Sequence, residues 1–298
     1  MLSFSASLSP NNNAFALFVT EKYEYKDPKG VLPKEVRNKI DLFLKTLKAK
    51  SQKEEISSID ISDKKKCFII KVKNKYGKSY FEEIGGSFFT YIKNFKNINS
   101  VDIYTDSLNE KKDKLSKIFS EFIFGFNLKS YTFNKYKTLN KEKIDRKINY
   151  KIISSNKKDI EKNYKYYNAI KEGVFLARDL VSEPPNVLNP KNYVQEIKKL
   201  SKIGLKVKAY NEKELKKLGL NALLGVGLGS ANETYLVTLE WNGKKGSKQT
   251  PLPTKAKGFF SEFFFPNHSI VTKKDSFVLP CPTPSRAFNP NFFNSFSL

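Results

Sequence analysis

The sequence predicts an α/β fold in two parts, because short apolar strand patterns alternate with amphipathic helix patterns along most of the chain. A length of 298 residues is enough for two domains, and 39% hydrophobic residues suffice for a core in each. A lysine-rich stretch separates the two parts. We therefore predict an N-terminal α/β domain over 1–138, a basic linker over 139–159, a second α/β unit over 160–243 and a different tail over 244–298.

Strands and helices are interleaved within the first 138 residues. The runs "NAFALFVTEK", "KKCFIIKVK" and "SVDIYTD" predict strands. A helix is predicted where apolar residues share one face, namely Val36, Ile40, Phe43 and Leu47. In "YFEEIGGSFFTYIKNF" the pair Gly85-Gly86 is interpreted as a break before an apolar face. A further helix is predicted from about Leu115 to Phe126, followed by an extended aromatic segment.

The linker is the most basic part of the chain. Between Lys135 and Lys171 twelve basic residues stand against four acidic ones. Such a charge run is more typical of a solvated connection than of a packed element.

The second unit has the order helix, helix, strand, helix, strand. A helix over about Ile160 to Val181 ends before Pro184-Pro185, and "NPKNYVQEIKKLSKIG" predicts a helix capped by Asn189. The strand "LKVKAY" follows, then the helix "NEKELKKLG", closed by Gly219, and after a glycine-rich stretch the strand "TYLVTLEW". This order is typical of the opening of a doubly wound domain.

The glycine-rich stretch "GVGLGS" does not fit a phosphate-binding loop. A dinucleotide motif requires a glycine three residues after Gly227, where Ser230 stands, and a helix afterwards, whereas a strand is predicted here. A turn leading into the strand is the preferred interpretation.

A net charge of +24 taken alone suggests a polyanionic partner such as nucleic acid. However, only four of the 54 basic residues are arginine, the residue better suited to bind phosphate. We therefore expect a solvated lysine coat, with weak non-specific nucleic-acid binding. No apolar run is long enough for a membrane span and no signal peptide is expected, so the prediction is a cytoplasmic protein without a membrane partner.

Metal-binding motifs of the zinc-finger kind are not predicted. Cys67, Cys281 and His268 are too few and too far apart for a disulfide framework or a spaced zinc site. His268 is interpreted as an ordinary residue of the tail.

Three stretches resemble the leucyl aminopeptidases, also called cytosol aminopeptidases. These are "FGFNLKSYTFNKYKT", "GVFLARDLVSEPPNVLNP" and "LGLNALLGVGLGSANETYLVTLEWNG", which occur in the family's order up to Gly243. One departure is Ser182, where the family more often has asparagine. The resemblance implies a mixed-sheet α/β domain, a linker, and a catalytic α/β domain that binds two divalent metals (zinc or manganese), usually in a hexamer that acts on peptides.

In that family a lysine, three aspartates and a glutamate hold the metals, and these residues lie beyond the resembling part. Residues 251–298 contain ten of the 25 phenylalanines and seven of the 13 prolines, with Glu262 and Asp275 as their only carboxylates. Lys257, Gly258 and Glu262 repeat the family's spacing from its metal-binding lysine to an aspartate, but the paired glycines that should follow are replaced by "FFF". We therefore assign no catalytic, cofactor-binding or metal residue and expect no cofactor in this chain.

Two interpretations of the tail remain open: a product read in a shifted frame or joined to foreign sequence, and a native divergent end. Translation of the other two frames beyond about codon 244 distinguishes them. The predicted fold is thus an N-terminal mixed-sheet α/β domain, an incomplete α/β catalytic domain and a poorly ordered tail. The predicted function is a truncated, inactive member of the aminopeptidase family, and the alternative is a non-enzymatic nucleic-acid-binding or accessory module.

Overall fold

A computed structural model describes residues 2–5, 7–9, 12–50, 54–138, 147–240 and 276–280, the last of these by backbone only. The chain forms two compact units, Met1–Val181 and Ser182–Leu298. Over the described ranges no helix combines the length and the apolar character that a membrane span requires.

A six-stranded mixed sheet forms the centre of the first unit. Its strands lie in the order β1-β6-β5-β2-β4-β3, and all neighbours are parallel except β3, which runs antiparallel to β4. The predicted mixed α/β fold is therefore confirmed. The strand bounds are β1 Leu2–Ser5, β2 Ala14–Val19, β3 Ile56–Ser62, β4 Lys65–Lys71, β5 Ser100–Tyr104 and β6 Asn149–Ile153.

Helices cover both faces of this sheet. They are α1 Lys34–Ala49, α2 Tyr80–Lys93, α3 Lys112–Ser130 and α4 Lys157–Ser182. Successive residues of β2 point to opposite faces, so that Phe18 packs in the larger core with α2 and α3, while Leu17 packs in the smaller core with α1. In the larger core the ring centroids of Phe18 and Phe119 lie 4.8 Å apart in an edge-to-face arrangement.

The pair Gly85-Gly86 lies inside α2, so its interpretation as a break was wrong. A Cβ at Gly85 would lie 2.1 Å from the carbonyl oxygen of Phe122, and one at Gly125 would lie 1.8 Å from the carbonyl oxygen of Glu82. Helices α2 and α3 therefore pack backbone against backbone at these glycines. Close packing, rather than a turn, explains the absence of side chains at Gly85 and Gly125.

Part of the predicted linker 139–159 is the strand β6, which lies between β1 and β5. The start of α4 also belongs to the first unit, because Ile160 and Tyr164 lie in the larger core. The side-chain amide nitrogen of Asn127 on α3 lies 2.6 Å from the Tyr150 hydroxyl and 2.7 Å from the Tyr164 hydroxyl. The first unit therefore uses residues well beyond 138, the predicted end of the N-terminal domain.

Among its described residues, the second unit contains three short α-helices and a three-stranded sheet in the order β7-β8-β9. The predicted caps are present: the Asn189 side chain accepts a hydrogen bond from the Asn192 N–H at 3.0 Å, and Gly219 has φ +69°. Both strand pairs are antiparallel. The elements are α5 Pro190–Lys198, β7 Lys206–Tyr210, α6 Glu212–Lys217, α7 Asn221–Gly227, β8 Leu236–Glu240 and β9 Ser276–Pro280.

The antiparallel pairing of β7 and β8 differs from the parallel pairing that a doubly wound domain would have. A parallel crossover needs a connection long enough to run back along the first strand. Helices α6 and α7 have six and seven residues, hence only roughly 10 Å each, and the chain returns without a long crossover helix. Of the tail predicted to be poorly ordered, only 276–280 lie among the described residues, where they form β9.

Candidate functional site

Five described carboxylates of the second unit each contact another residue of the chain. Two of them support the fold directly: Glu214 completes a capping box with Asn211, and Glu212 accepts a hydrogen bond from the Thr234 N–H at 2.8 Å. Three more contact a nearby side chain, namely Glu196 with Lys199, Glu233 with Tyr235 and Glu240 with Lys206. These contacts are those of helix caps and surface pairs and not those of a shared ligand set.

The described residues do not fit the two-metal centre that the resemblance implies. Within them, no group of three or more His, Cys, Asp or Glu side chains is close enough to hold a metal ion. The residues weighed as candidates in the tail, Lys257, Glu262 and His268, lie outside the described ranges. The assignment of no site residue therefore stays a prediction.

One of the three glycines in the glycine-rich stretch before β8, Gly227, is required by packing. Gly227 ends α7, and a Cβ there would lie 1.7 Å from the Thr234 hydroxyl oxygen. Strand β8, and not a helix, comes next in the chain, so this stretch lacks the helix N-terminus that a phosphate-binding loop uses.

Buried carboxylates of the first unit hold loops against the sheet. Asp102 on β5 accepts hydrogen bonds from the Ser9 N–H and the Asn12 side-chain amide, and burial raises the pKa of the Asp102 carboxyl. Asp106 accepts a hydrogen bond from the Ser155 N–H at 2.8 Å, at the carboxyl end of the same strand. Both carboxylates are satisfied by neighbouring chain segments, which is a structural role.

Asp27, in the loop before α1, is a third carboxylate that holds a loop in place. It accepts hydrogen bonds from the N–H groups of Val31 and Leu32 and from the Tyr104 hydroxyl. Burial, followed by the hydrogen bond to Asp27, raises the pKa of the Tyr104 hydroxyl well above its usual range. Tyr104 therefore stays a neutral donor that closes this loop over the sheet.

A surface groove of about 590 Å³ lies between α3 and α4 of the first unit. It is lined by Asp113, Ser116, Lys117, Asp159, Lys162, Asn163, Tyr166 and Tyr167. The Ser116 hydroxyl donates to the Asp113 carbonyl at 2.8 Å and accepts from the Asn163 amide at 2.9 Å, so its proton is committed to the backbone. With two acidic and two basic residues, the groove has balanced charge and no arrangement of nucleophile and base.

The fold is shared with solved structures that include a leucine aminopeptidase. A variant of tomato leucine aminopeptidase matches with a TM-score of 0.64 and 17% identity, over 82% of this chain and 51% of that chain. The bottromycin maturation enzyme BotP, in complex with Mn, matches with a TM-score of 0.54 and 16% identity, over 78% of this chain and 45% of that chain. At these identities the matches show the fold.

Sequence comparison finds relatives described as "Probable cytosol aminopeptidase". The protein of Agrobacterium fabrum is 41% identical over 173 residues, which is 57% of this chain and 34% of the relative. That of Phytoplasma mali is 37% identical over 177 residues, 58% of this chain and 35% of the relative. That of Brucella melitensis is 35% identical over 187 residues, which is 62% of this chain and 37% of the relative. The chain thus spans about a third of the length of these curated relatives.

Residues 175–257 match the model of the cytosol aminopeptidase family, catalytic domain. The matched residues are similar to the catalytic domain of the cytosol aminopeptidase family, and the α/β fold is the one seen in tomato leucine aminopeptidase. The resemblance found in the sequence is confirmed.

The family match also refines the end of the resemblance. Sequence analysis placed that end at Gly243, whereas the matched region continues to Lys257.

Proposed function

We propose that these residues supply the N-terminal unit and the start of the catalytic domain of a metal-dependent aminopeptidase, and that this chain alone is inactive. The reaction of the whole protein would be hydrolytic release of N-terminal amino acids from peptides. One observation carries the proposal: the catalytic-domain match stops at 257, and beyond it only Glu262, Asp275, His268 and Cys281 could serve as conventional metal ligands.

The ligand chemistry supports inactivity. In the family, two divalent cations, zinc or manganese, bind the peptide's amine, polarise its carbonyl and activate a water. Lys257 and Glu262 repeat the spacing of the family's lysine and one aspartate, but the paired glycines that should follow are missing. The family's three further ligands have no counterpart that we can assign. The same holds for a second lysine and an arginine, which assist the reaction in the family. We therefore derive no catalytic step for this chain.

Purified chain supplied with Mn²⁺ or Zn²⁺ should not release leucine from a leucine-amide substrate above a metal-only blank. The reason is that a cation without a carboxylate cage does not hold a positioned water. An intact family member assayed in parallel shows that the conditions support turnover. Release of leucine that a chelator abolishes would contradict the proposal.

Localisation and assembly follow from the same proposal. The relatives are described as cytosol aminopeptidases, which supports the cytoplasm as the site of this chain. Peptides would be substrates of the whole protein, not ligands of this part alone. The hexamer usual in the family is proposed not to form, because about two thirds of the relatives' length has no match here.

The lysine excess is proposed to keep the chain in solution, with nucleic acid as an incidental ligand. Several lysines interact with the protein itself, such as Lys66 over the Phe95 ring and Lys73 with Glu55. Binding to labelled duplex DNA, measured by fluorescence anisotropy, should be weak. It should disappear between about 50 and 200 mM salt, because salt cations then replace the lysines at the DNA phosphates. Submicromolar binding that selects a sequence at physiological salt would instead favour the nucleic-acid-binding alternative.

A further inference from the structure

Strand β8 is paired along both of its edges. On one side it runs antiparallel to β7, and on the other side it runs antiparallel to β9. The 5 residues of β8 lie opposite the 5 residues of β9, from Leu236 opposite Pro280 to Glu240 opposite Ser276. Strand β8 is therefore the central strand of this sheet, and residues 276–280 close the edge that β7 leaves open.

Strand β8 is more buried than β7. Val237 is 1% accessible and Leu236 is 7% accessible, whereas every residue of β7 is exposed or partly exposed. An unpaired edge on such a strand would leave backbone N–H and C=O groups without partners and would offer a template for pairing with other chains. The second edge of β8 therefore requires a partner strand.

The two strands differ in how they could protect an open edge. Strand β7 carries Lys206 and Lys208, and lysine on an edge strand discourages pairing with another chain. Strand β8 has no lysine, and its one charged residue is Glu240 at its end, which forms an ion pair with Lys206 at 3.7 Å. The β7 side of the sheet thus has its own protection, whereas the other side of β8 depends on β9.

The sequence around β9 limits this strand to the length of β8. Phe277 and Val278 have high strand propensity. Pro280, the last residue of β9, has no N–H to donate, and Pro282 and Pro284 follow closely, so that a longer paired strand is disfavoured. The end of β9 therefore coincides with the start of β8 at Leu236.

We propose that residues 276–280 are a capping strand, which the tail of this chain supplies to close the β8 edge of the partial catalytic domain. The catalytic-domain match extends past β8 as far as 257, but the strand that pairs with β8 comes from 276–280, outside the match. The capping strand is therefore a property of this chain's own tail and not of the matched domain. With β9 in place, the edge is closed to any other strand.

The connection along the chain favours capping by the chain's own tail over pairing with a second copy. About 35 residues connect β8 to β9, and the entropic cost of closing a loop grows only slowly with its length. A segment tethered in this way has an effective concentration on the order of millimolar, far above the micromolar concentration of purified chains. The β8 edge should therefore be filled within one chain, and this edge should not drive association.

Disulfide cross-linking tests the register of the capping strand. In a Cys281→Ser background, Thr238→Cys with Val278→Cys should form a disulfide within one chain, because opposite residues of an antiparallel pair have Cα atoms about 4.5–5.5 Å apart. Thr238→Cys with Phe277→Cys is the matched control and should link poorly, because neighbouring residues of a strand lie on opposite faces. Equal linking of the two pairs, or linking of the first pair only between chains, would contradict the proposal.

Hydrogen exchange tests what the capping strand does for β8. Alternate N–H groups of a strand point to its neighbour, so that Phe277→Pro combined with Val278→Pro removes a hydrogen bond to β8 in either phase of the ladder. Exchange at amides of β8 should become on the order of tenfold faster. Sedimentation velocity should show association of chains through the open edge. Val271→Pro combined with Thr272→Pro is the matched control, because both residues lie outside β9, and it should leave exchange and mass unchanged.

A peptide with the sequence of residues 273–280 separates loss of the capping strand from misfolding. Added in excess to the variant with prolines at 277 and 278, it should slow exchange in β8 and reverse the association, whereas a scrambled peptide should do neither. The proposal would be wrong if this variant exchanged and sedimented like its control, or if the peptide had no effect. The readouts are cross-linking, exchange and mass, so this inference can fail or succeed independently of the peptidase proposal.

Discussion

Gly125→Ala should destabilise the first unit by about 3 kcal/mol or more. The new methyl group would lie 1.8 Å from the Glu82 carbonyl oxygen on α2, which is backbone and cannot rotate away. Helices α2 and α3 would have to separate, and the ring contacts between them, such as that of Phe89 with Phe126 at 5.1 Å, would be lost. Thermal unfolding followed by circular dichroism measures the change, at roughly 2–4 °C per kcal/mol for a unit of this size.

Gly86→Ala is the matched control. It lies next to Gly85 in the same helix, but its Cβ would meet its nearest neighbours at 3.7 Å, an ordinary contact. Because alanine is favoured over glycine inside a helix, the substitution should be neutral or stabilise by up to about 1 kcal/mol. If Gly125→Ala and Gly86→Ala had the same effect on the melting temperature, the close approach of α2 and α3 would be wrong.

A fragment that ends at residue 138 should not fold, whereas a fragment that ends at residue 181 should unfold cooperatively. The shorter fragment lacks β6, so β1 loses its partner and one edge of β5 is left unpaired. It also lacks Ile160 and Tyr164, two members of the larger core. Limited proteolysis of the whole chain should accordingly leave a stable product that ends near 181 and not in the basic segment before β6.

Chemical denaturation and hydrogen exchange of the two fragments check this expectation. The longer fragment should show a single transition and slow exchange across the sheet, including β6. A shorter fragment that showed the same protection would mean that the N-terminal domain is complete at 138, as the sequence pattern predicted.

Elements with a strong local pattern were predicted well from the sequence. Helix α1 shows its apolar face at helical spacing, and α5 shows its Asn189 cap, so each follows from neighbouring residues. Strand β2 is apolar throughout, and β4 and β5 each carry buried apolar residues on both sides of the sheet. Here local sequence and burial in the folded unit agree.

Strand β6 was missed because its signal is tertiary. The segment "NYKII" follows a run of charged residues, and only the pairing of β6 with both β1 and β5 makes it a strand. Gly85 and Gly125 were equally ambiguous, since a glycine that allows two backbones to touch looks the same in sequence as a glycine that breaks a helix. Both features depend on partners distant in the chain.

The family was predictable from the sequence, because three motifs occur in the right order, and the comparisons confirm it. Sequence alone could not give the contacts of the carboxylates. Glu212, for example, is a plausible ligand by residue type, whereas the structure shows it bound to the Thr234 N–H. Which acids are free for chemistry depends on packing between loops, which leaves no local pattern.

The pairing of β1 with β6 also has a consequence for biosynthesis. Leu2 lies opposite Tyr150 in the sheet, so β1 meets its partner only after about 150 further residues have been translated. At 5–20 residues per second this delay is roughly 7 to 30 s. During that time β1 has no partner strand, and the sheet closes at β1 only after β6 has left the exit tunnel.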